Sequence, residues 1–282
     1  MKTMLVPVDF SDTSKNAVNY AVEWAKAYEY TRIILLKTLY NSMFDMIPSA
    51  EYVSVNDDYI SKEREDAKGK MNELCKGLVD KAGPGIKMSI AVSELPLLRS
   101  IMEIIEDEHP ELIVLGSDNI NYSNNSFVAG NLISIAKISP VRVLVVPSHF
   151  KYQPVEQSLV PVDFNTVSTL DKIEQHTAKT PQWRNKKLLV LNVDPKEKYL
   201  HPDDDFRKSE KILHEYLQNF PHEVFYSNNK YIIAALKEFA DTHDVQLIIA
   251  LPGKHSFLYS LTHKSISEAI YSNAKHPVLI LK

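Results

Sequence analysis

Two aspartates at the ends of identical apolar hexapeptides are the first candidates for binding chemistry. The segment Leu5–Phe10 reads LVPVDF, and the same six letters recur at Leu159–Phe164. A residue that ends a strand of a parallel α/β sheet lies at the edge where such folds bind ligands. Its carboxylate has two alternative roles there, contact with a ligand or acceptance of amide hydrogen bonds from the turn into the next helix. The sequence marks Asp9 and Asp163 and leaves both roles open.

A basic loop near the C-terminus is the second candidate. The segment Gly253–Ser265 contains two lysines, Lys254 and Lys264, two histidines and no acidic residue. A loop of this composition can hold an anion together with the N-terminus of the helix that follows it. The alternative interpretation is a solvated basic loop without a ligand.

Signatures of other chemistries are absent from the sequence. It has no G-x4-G-K-[ST] phosphate loop, no G-x-G-x-x-G dinucleotide motif and no G-x-S-x-G nucleophile elbow. Eight of the ten histidines follow residue 150, yet none forms H-x3-H or H-E-x-x-H, and Cys75 is the only cysteine. We therefore predict that the protein is not an enzyme and binds no metal.

Composition excludes further classes of function. The chain has 282 residues, and its formal charge is 32 − 36 = −4, which disfavours nucleic-acid binding because that requires a basic surface. No apolar run approaches the roughly 20 residues needed to cross a membrane. A single cysteine, Cys75, within a helical apolar pattern excludes a disulfide scaffold and favours the cytoplasm.

The chain contains an internal repeat. The two hexapeptides are 163 − 9 = 154 residues apart. Toward the end of each half, Leu112–Val114 matches Leu247–Ile249, and Val143–Val146 matches Val278–Leu281, both at an offset of 135. Halves that share a beginning, an end and an order indicate duplication.

The two offsets also locate an insertion and a boundary. Their difference, 154 − 135 = 19, is the number of extra residues in the first half, and we place the insertion around Tyr40–Asn56. The polar segment His149–Gln157 separates the halves. The predicted repeats are therefore residues 1–150 and 151–282.

Short β-branched runs alternate with longer segments of helical periodicity in each half. In the first half we predict strands at Thr3–Asp9, Arg32–Leu39, Ile86–Val92, Glu111–Gly116 and Arg142–Val146. Helices are predicted at Thr13–Tyr30, Asp58–Ala82, Leu97–Glu108 and Ser126–Ser139. Strict alternation predicts an α/β fold with two doubly wound domains, each built on a parallel sheet with helices on both faces.

Three segments resemble the universal stress protein family. They are Met4–Ser14, Leu112–Ser117 and Val143–Pro147, and the resemblance extends over both halves. It implies a five-stranded parallel sheet in the order 3-2-1-4-5 in each repeat. Because the last strand of that fold commonly makes the dimer contact, the resemblance also implies an intrachain pseudo-dimer.

Nucleotide-binding members of that family carry G-x2-G-x9-G-[ST] after the fourth strand, and the match here is partial. On the adenine side the resemblance assigns Pro7, Val8 and Asp9, and on the phosphate side Gly116, Ser117, Gly130 and Asn131. Asn119 replaces the second glycine, ten residues separate it from Gly130, and Asn131 replaces the final hydroxyl. No lysine or arginine lies between Gly116 and Asn131, and Asp118 adds negative charge, which weighs against a triphosphate.

The second repeat departs from the pattern in another way. Leu251 stands where the first glycine belongs, so the candidate residues are Asp163 and the loop residues Lys254, Lys264 and Ser265. We interpret the repeats as diverged, the first retaining more of the backbone motif and the second more positive charge.

Two functions remain open at this point. The first is a non-enzymatic, cytoplasmic stress-response protein that binds an adenine nucleotide, with ATP and AMP as the candidate ligands. The second is an interaction or dimerisation protein whose nucleotide pockets are vestigial. The apolar insertion Tyr40–Tyr59, read as a loop, is expected to cover the neighbouring repeat or a second chain, the alternative being a free flexible lid. A homo-oligomer and an unidentified protein are therefore candidate partners.

Overall fold

The structure is a computed structural model. It describes residues 1–39, 53–118, 128, 131–251 and 275–282, and of residues 53–60 only the backbone. Two compact units divide the described chain. The first consists of residues up to 116 together with 128 and 131–139, and the second of residues 117–118 and those from 140 onward.

The described residues form ten strands and seven α-helices. The strands are β1 (Thr3–Pro7), β2 (Arg32–Thr38), β3 (Lys87–Ser93), β4 (Leu112–Ser117), β5 (Arg142–Pro147), β6 (Gln157–Val162), β7 (Lys187–Val193), β8 (His222–Ser227), β9 (Leu247–Ala250) and β10 (Val278–Ile280). The helices are α1 (Asp12–Ala27), α2 (Val53–Ala82), α3 (Leu97–Glu108), α4 (Leu132–Ile138), α5 (Asp171–Lys179), α6 (Asp204–Leu217) and α7 (Ile232–Thr242). Two 3₁₀ helices, Phe164–Leu170 and Pro181–Trp183, lie before and after α5.

Strands β1 to β5 lie within two residues of their predicted bounds, and α3 has the predicted bounds. Helix α2 begins at Val53, so reading Tyr40–Tyr59 as a loop throughout was wrong for its last seven residues. They continue the regular backbone hydrogen bonding of the charged helix that follows. The rest of the insertion, residues 40–52, lies outside the described residues.

The first unit contains four parallel strands in the order β3-β2-β1-β4. Strand β1 is central and almost completely buried, as a strand covered on both faces should be. Helix α1 places Tyr20, Trp24 and seven further side chains in the core of this unit. Its N-cap is Ser11, whose Oγ accepts a hydrogen bond from the amide of Ser14 at 3.1 Å.

The second unit contains six strands in the order β5-β10-β9-β6-β7-β8. Strands β6 to β10 are the first to fifth strands of the second repeat. They lie in the order β8-β7-β6-β9-β10, which confirms the order 3-2-1-4-5 that the resemblance implies. Strand β5, which the sequence assigns to the first repeat, pairs antiparallel with β10 inside this unit. That pairing is the last-strand contact expected of a pseudo-dimer, while the pseudo-dimer as a whole stays a prediction.

The strand registers carry the same offsets as the sequence. In the first unit Met4 lies opposite Leu112, and in the second Ser158 lies opposite Leu247. The differences are 158 − 4 = 154 and 247 − 112 = 135. The duplication is therefore found in the pairing of the first and fourth strands as well as in the amino-acid sequence.

Gly116 allows α1 to approach the end of β4. A Cβ atom at this position would lie 2.6 Å from the carbonyl oxygen of Thr13 and 2.7 Å from its Cγ2. Real Cβ atoms do not tolerate such distances, so only glycine permits this packing. The close approach holds the turn after β1 against the end of β4.

Among the helices that the structure describes, none is both long enough and apolar enough to cross a membrane.

We predict that Gly116→Ala lowers the free energy of unfolding by about 1–3 kcal/mol, the usual cost of overpacking a filled site. Gly77→Ala is the matched control. Gly77 is an exposed residue inside α2 with nothing within 4 Å of its added Cβ, so alanine should stabilise the helix by up to about 1 kcal/mol. Urea unfolding of both variants measures the difference, and equal effects would contradict the assigned packing.

Candidate functional site

The turn after β1 is organised by the carboxylate of Asp9. Its Oδ1 accepts hydrogen bonds from the amide of Ser11 at 3.1 Å and from the hydroxyl of the same residue. Between the two residues Phe10 has φ 63°, in the left-handed region that costs energy for a bulky side chain. The structure thus confirms the local role of Asp9, acceptance of amide hydrogen bonds from the turn into α1.

The second oxygen of Asp9 is also occupied. Its Oδ2 accepts a hydrogen bond from the amide of Val128 at 3.0 Å, 119 residues along the chain. Val128 belongs to the segment between β4 and α4, so this bond links the turn after the first strand to that segment. In the first repeat both carboxylate oxygens therefore accept hydrogen bonds from the chain.

A partly buried lysine lies next to this turn. Lys37 is near the carboxyl end of β2, and its Nζ is 5.7 Å from the centre of the Phe10 ring, within cation–π range. Burial lowers the pKa of Lys37 below its ordinary value, although the negative charges of Asp9 and Glu63 act in the opposite direction. The first repeat thus carries a cation at the sheet edge that sequence reasoning missed.

The other first-repeat candidates are mostly buried. Pro7 and Val8 are buried in the sheet, and the amide of Val8 donates to the carbonyl oxygen of Leu36 at 2.7 Å. Ser117 is fully buried, and its carbonyl oxygen accepts from the amide of Ser148 at 2.9 Å. Asn131 precedes α4 and makes no side-chain capping bond to it. Gly130 lies outside the described residues.

The turn after β6 repeats the geometry of the Asp9 turn. Asp163 Oδ1 accepts from the amide of Asn165 at 2.9 Å and from the side-chain amide of Asn165 at 2.7 Å. Positions 163 and 165 correspond to 9 and 11 at the offset of 154. Here, however, Oδ2 accepts no hydrogen bond from the described residues. The position that corresponds to Val128 at the offset of 135 is 263, which lies outside the described residues.

A cavity of about 540 Å³ lies beside Asp163. It covers the carboxyl ends of β6 and β7, and α6 and α7 close its sides. Its apolar lining is formed by Pro161, Val162, Phe164, Leu191, Val193, Pro195, Phe206, Ile232 and Leu236. Since Leu191 and Leu236 also belong to the buried core cluster of this unit, the base of the cavity is held by the packed core.

Aromatic rings support one side of the cavity. The rings of Phe164 and Phe206, which both line it, have centroids 4.6 Å apart. Behind them Tyr226 lies edge-on to Phe164 and stacks on Tyr199 with centroids 5.1 Å apart. Burial and a hydrogen bond to Glu210 raise the pKa of Tyr226, so its hydroxyl stays protonated. These contacts hold flat apolar surfaces next to the carboxylate of Asp163.

The loop after β7 contributes both signs of charge to the cavity. The carboxylate of Asp194 accepts from the amides of Lys196 and Lys198 at 3.0 and 2.6 Å, which fixes the loop. Both lysines line the cavity, as does Asp205 in the first turn of α6. The described lining therefore has two ammonium groups and three carboxylates, counting Asp163.

Corresponding positions of the two repeats carry different groups beside the first strand. Pro7 lies opposite Leu36, and Pro161 lies opposite Leu191, so Lys37 in the first repeat corresponds to Asn192 in the second. Asn192 is 5% exposed and lines the cavity. The sequence did carry a signal for it, because Asn192 and Asp194 are the first polar residues after an apolar run that ends at a sheet edge.

The remaining candidates of the second repeat lie in the part of the chain without described coordinates. These are Lys254, Lys264 and Ser265, so their predicted role in anion binding stays a prediction. Within the described ranges, no group of three or more histidine, cysteine, aspartate or glutamate side chains is arranged to hold a metal ion. Cys75 is partly buried, and burial raises the pKa of its thiol.

Comparisons with known proteins agree with this architecture. The sequence model described as the universal stress protein family matches residues 1–147. A universal stress protein from Archaeoglobus fulgidus is 17% identical over 99% of this chain and 98% of its own, with a TM-score of 0.68. A putative universal stress protein from Pseudomonas aeruginosa is 12% identical over 100% of this chain and 93% of its own, with a TM-score of 0.53. At these identities the structures show the fold alone.

Two further results complete the comparison. A universal stress protein solved in complex with cAMP is 20% identical over 52% of this chain and 97% of its own, and its TM-score of 0.31 is too low to bear on a ligand. No curated protein has a sequence that matches this chain.

We predict that Asp9→Ala lowers the free energy of unfolding by about 1.5–3 kcal/mol, because it removes a charged acceptor from two backbone amides. Asp163→Ala removes the same turn acceptor but no bond to a distant loop among the described residues, so its cost should be about 1 kcal/mol. Urea unfolding at pH 7 tests the pair. A cost for Asp163→Ala equal to or above that for Asp9→Ala would contradict the assignment.

We also predict a pH-dependent effect of Lys37→Met. Because burial lowers the pKa of Lys37, the unfolded state binds more protons than the folded state between that lowered pKa and 10.5. The free energy of unfolding of the wild type therefore increases as the pH rises across this window. Lys37→Met has no lysine at this position and does not show this increase. The stability of the variant relative to wild type should be highest below the window and fall toward pH 10.5. A difference that is constant from pH 8 to 10.5 would contradict the burial of this charge.

Proposed function

The chain belongs to the universal stress protein family, and from that premise we propose that it is a non-enzymatic stress-response protein of the cytoplasm that binds an adenine nucleotide in its second repeat. The observation that carries the proposal is the carboxylate of Asp163, whose Oδ2 accepts no hydrogen bond from the described residues, in the lining of a cavity of about 540 Å³. Ligand cavities of small molecules commonly have volumes of about 300–1,000 Å³.

The lining suits the parts of a nucleotide. The rings of Phe164 and Phe206 offer apolar surface to a planar base. The Oδ2 of Asp163, which accepts no hydrogen bond from the described residues, can accept from the hydroxyl groups of a ribose. Lys196 and Lys198 supply positive charge at the other side of the same cavity.

The balance of charge supports AMP over ATP. Three carboxylates against two ammonium groups in the described lining oppose the accumulation of negative charge, and each additional phosphate adds to the repulsion. The absence of a lysine or arginine from Gly116 through Asn131 weighs against triphosphate binding in the first repeat.

One observation favours the second function, an interaction protein with vestigial pockets. In the first repeat both oxygens of Asp9 already accept hydrogen bonds from the chain itself, so this turn is satisfied without a ligand. The proposal therefore assigns ligand binding to the second repeat and a structural role to the corresponding turn of the first.

Isothermal titration calorimetry with AMP and ATP tests the proposal. We expect wild-type protein to bind AMP more tightly than ATP, and Asp163→Ala to weaken AMP binding at least about tenfold, the effect of losing one charged hydrogen bond. Asp9→Ala, kept below its unfolding transition, should bind AMP as the wild type does. Absence of heat with both nucleotides, together with protein that releases no nucleotide on denaturation, would favour the interaction protein.

A further inference from the structure

A buried arginine contacts a buried histidine in the second unit. Arg142, the first residue of β5, is 9% exposed, and His176, on the buried face of α5, is 7% exposed. The Nη1 atom of Arg142 lies 2.6 Å from Nδ1 of His176. Because a guanidinium group carries donors and no acceptor, Nδ1 must be the acceptor of this hydrogen bond. The ring proton is therefore on Nε2, and the contact requires an uncharged imidazole.

Protonation of His176 would remove this hydrogen bond. An imidazolium ring has N–H on both nitrogens, so Nδ1 would present a hydrogen and a like charge to the guanidinium group of Arg142. Water offers little compensation, because Trp183 is 2% exposed and packs edge-on against the histidine ring with centroids 4.9 Å apart. Like charges in contact at a desolvated site are strongly disfavoured, so the folded arrangement excludes a second proton on this ring.

The other charged groups described near this contact favour the neutral ring as well. Lys172 lies one helical turn before the histidine on α5, and Lys282 follows β10. Burial lowers the pKa of Lys172 against the opposing charge of Asp171, and burial together with the charge of Lys172 lowers the pKa of Lys282. Glu174 is two positions from the histidine, a spacing at which helical side chains do not face each other, and its Oε1 is 3.0 Å from Nη2 of Arg184.

We propose that Arg142 and His176 form a pH-sensitive latch, which holds β5 against α5 at neutral pH and releases it on acidification. Strand β5 is the one that the sequence assigns to the first repeat, and it joins the second unit by pairing with β10 over three residue pairs. The latch lies at one end of this short pairing, because Arg142 directly precedes Val143, which lies opposite Ile280. This device does not depend on nucleotide binding.

Urea unfolding of the full chain between pH 8 and 5 tests the latch. Below the ordinary histidine value of about 6.5, the unfolded state binds a proton that the folded state excludes, so stability falls as the pH falls. From pH 7.5 to 5.5 the folding equilibrium constant of the wild type should decrease about tenfold more than that of His176→Asn, which offers an acceptor oxygen and does not titrate. His201→Asn, which replaces an exposed histidine, should keep the wild-type dependence. Parallel profiles of wild type and His176→Asn would overturn the proposal.

Two measurements on the wild type test the ring and the strand directly. Nitrogen-15 NMR should find the proton of His176 on Nε2 at pH 7.5, and a ring that titrates near pH 6.5 like an exposed histidine would overturn the proposal. Amide exchange, corrected for the intrinsic rate, should accelerate about tenfold more in β5 than in β7 from pH 7.5 to 5.5. Equal acceleration in both strands would also contradict the release of β5. Should circular dichroism show that His176→Asn is unfolded, these two measurements decide, since neither needs a variant.

Discussion

The structure depends on one electrostatic constraint, the need of the turn after each first strand for a hydrogen-bond acceptor. Asp9 and Asp163 meet it in the same way, by accepting the amide two residues later. The use of the second carboxylate oxygen differs. In the first repeat it accepts the amide of the distant residue Val128, whereas in the second it accepts no hydrogen bond from the described residues and belongs to a side chain that lines a cavity. The proposed difference in ligand binding between the repeats follows from that one oxygen.

Much of the fold follows from the sequence because the two halves have matching residues at their first, fourth and fifth strands. The LVPVDF hexapeptides identify the first strands, and the offsets of 154 and 135 recur in the registers of Met4 with Leu112 and of Ser158 with Leu247. Asp163 is also predictable, because a strand-ending carboxylate lies at the ligand-binding edge of any doubly wound sheet. The start of α2 at Val53 was not predicted, since the apolar residues of the insertion have no clear helical period.

The rest of the site could not be read from the sequence, because it consists of contacts between segments that are distant in the chain. Phe206 reaches the cavity from a helix about 40 residues after Phe164, and the lysines do so from a loop held by Asp194. Lys37 and Asn192 correspond only through the register of neighbouring strands, because the offset between them is 192 − 37 = 155 rather than 154. One added residue in the second repeat therefore hides the correspondence from an alignment at fixed offset.

The most direct test of the account is hydrogen–deuterium exchange with and without saturating AMP. Slower exchange is predicted for the turn and loop segments 163–166 and 194–198, which border the cavity, with no change in the first-repeat turn at residues 9–14. Slower exchange at residues 9–14 with none at the two second-repeat segments would place the ligand at the Asp9 carboxylate and contradict the account.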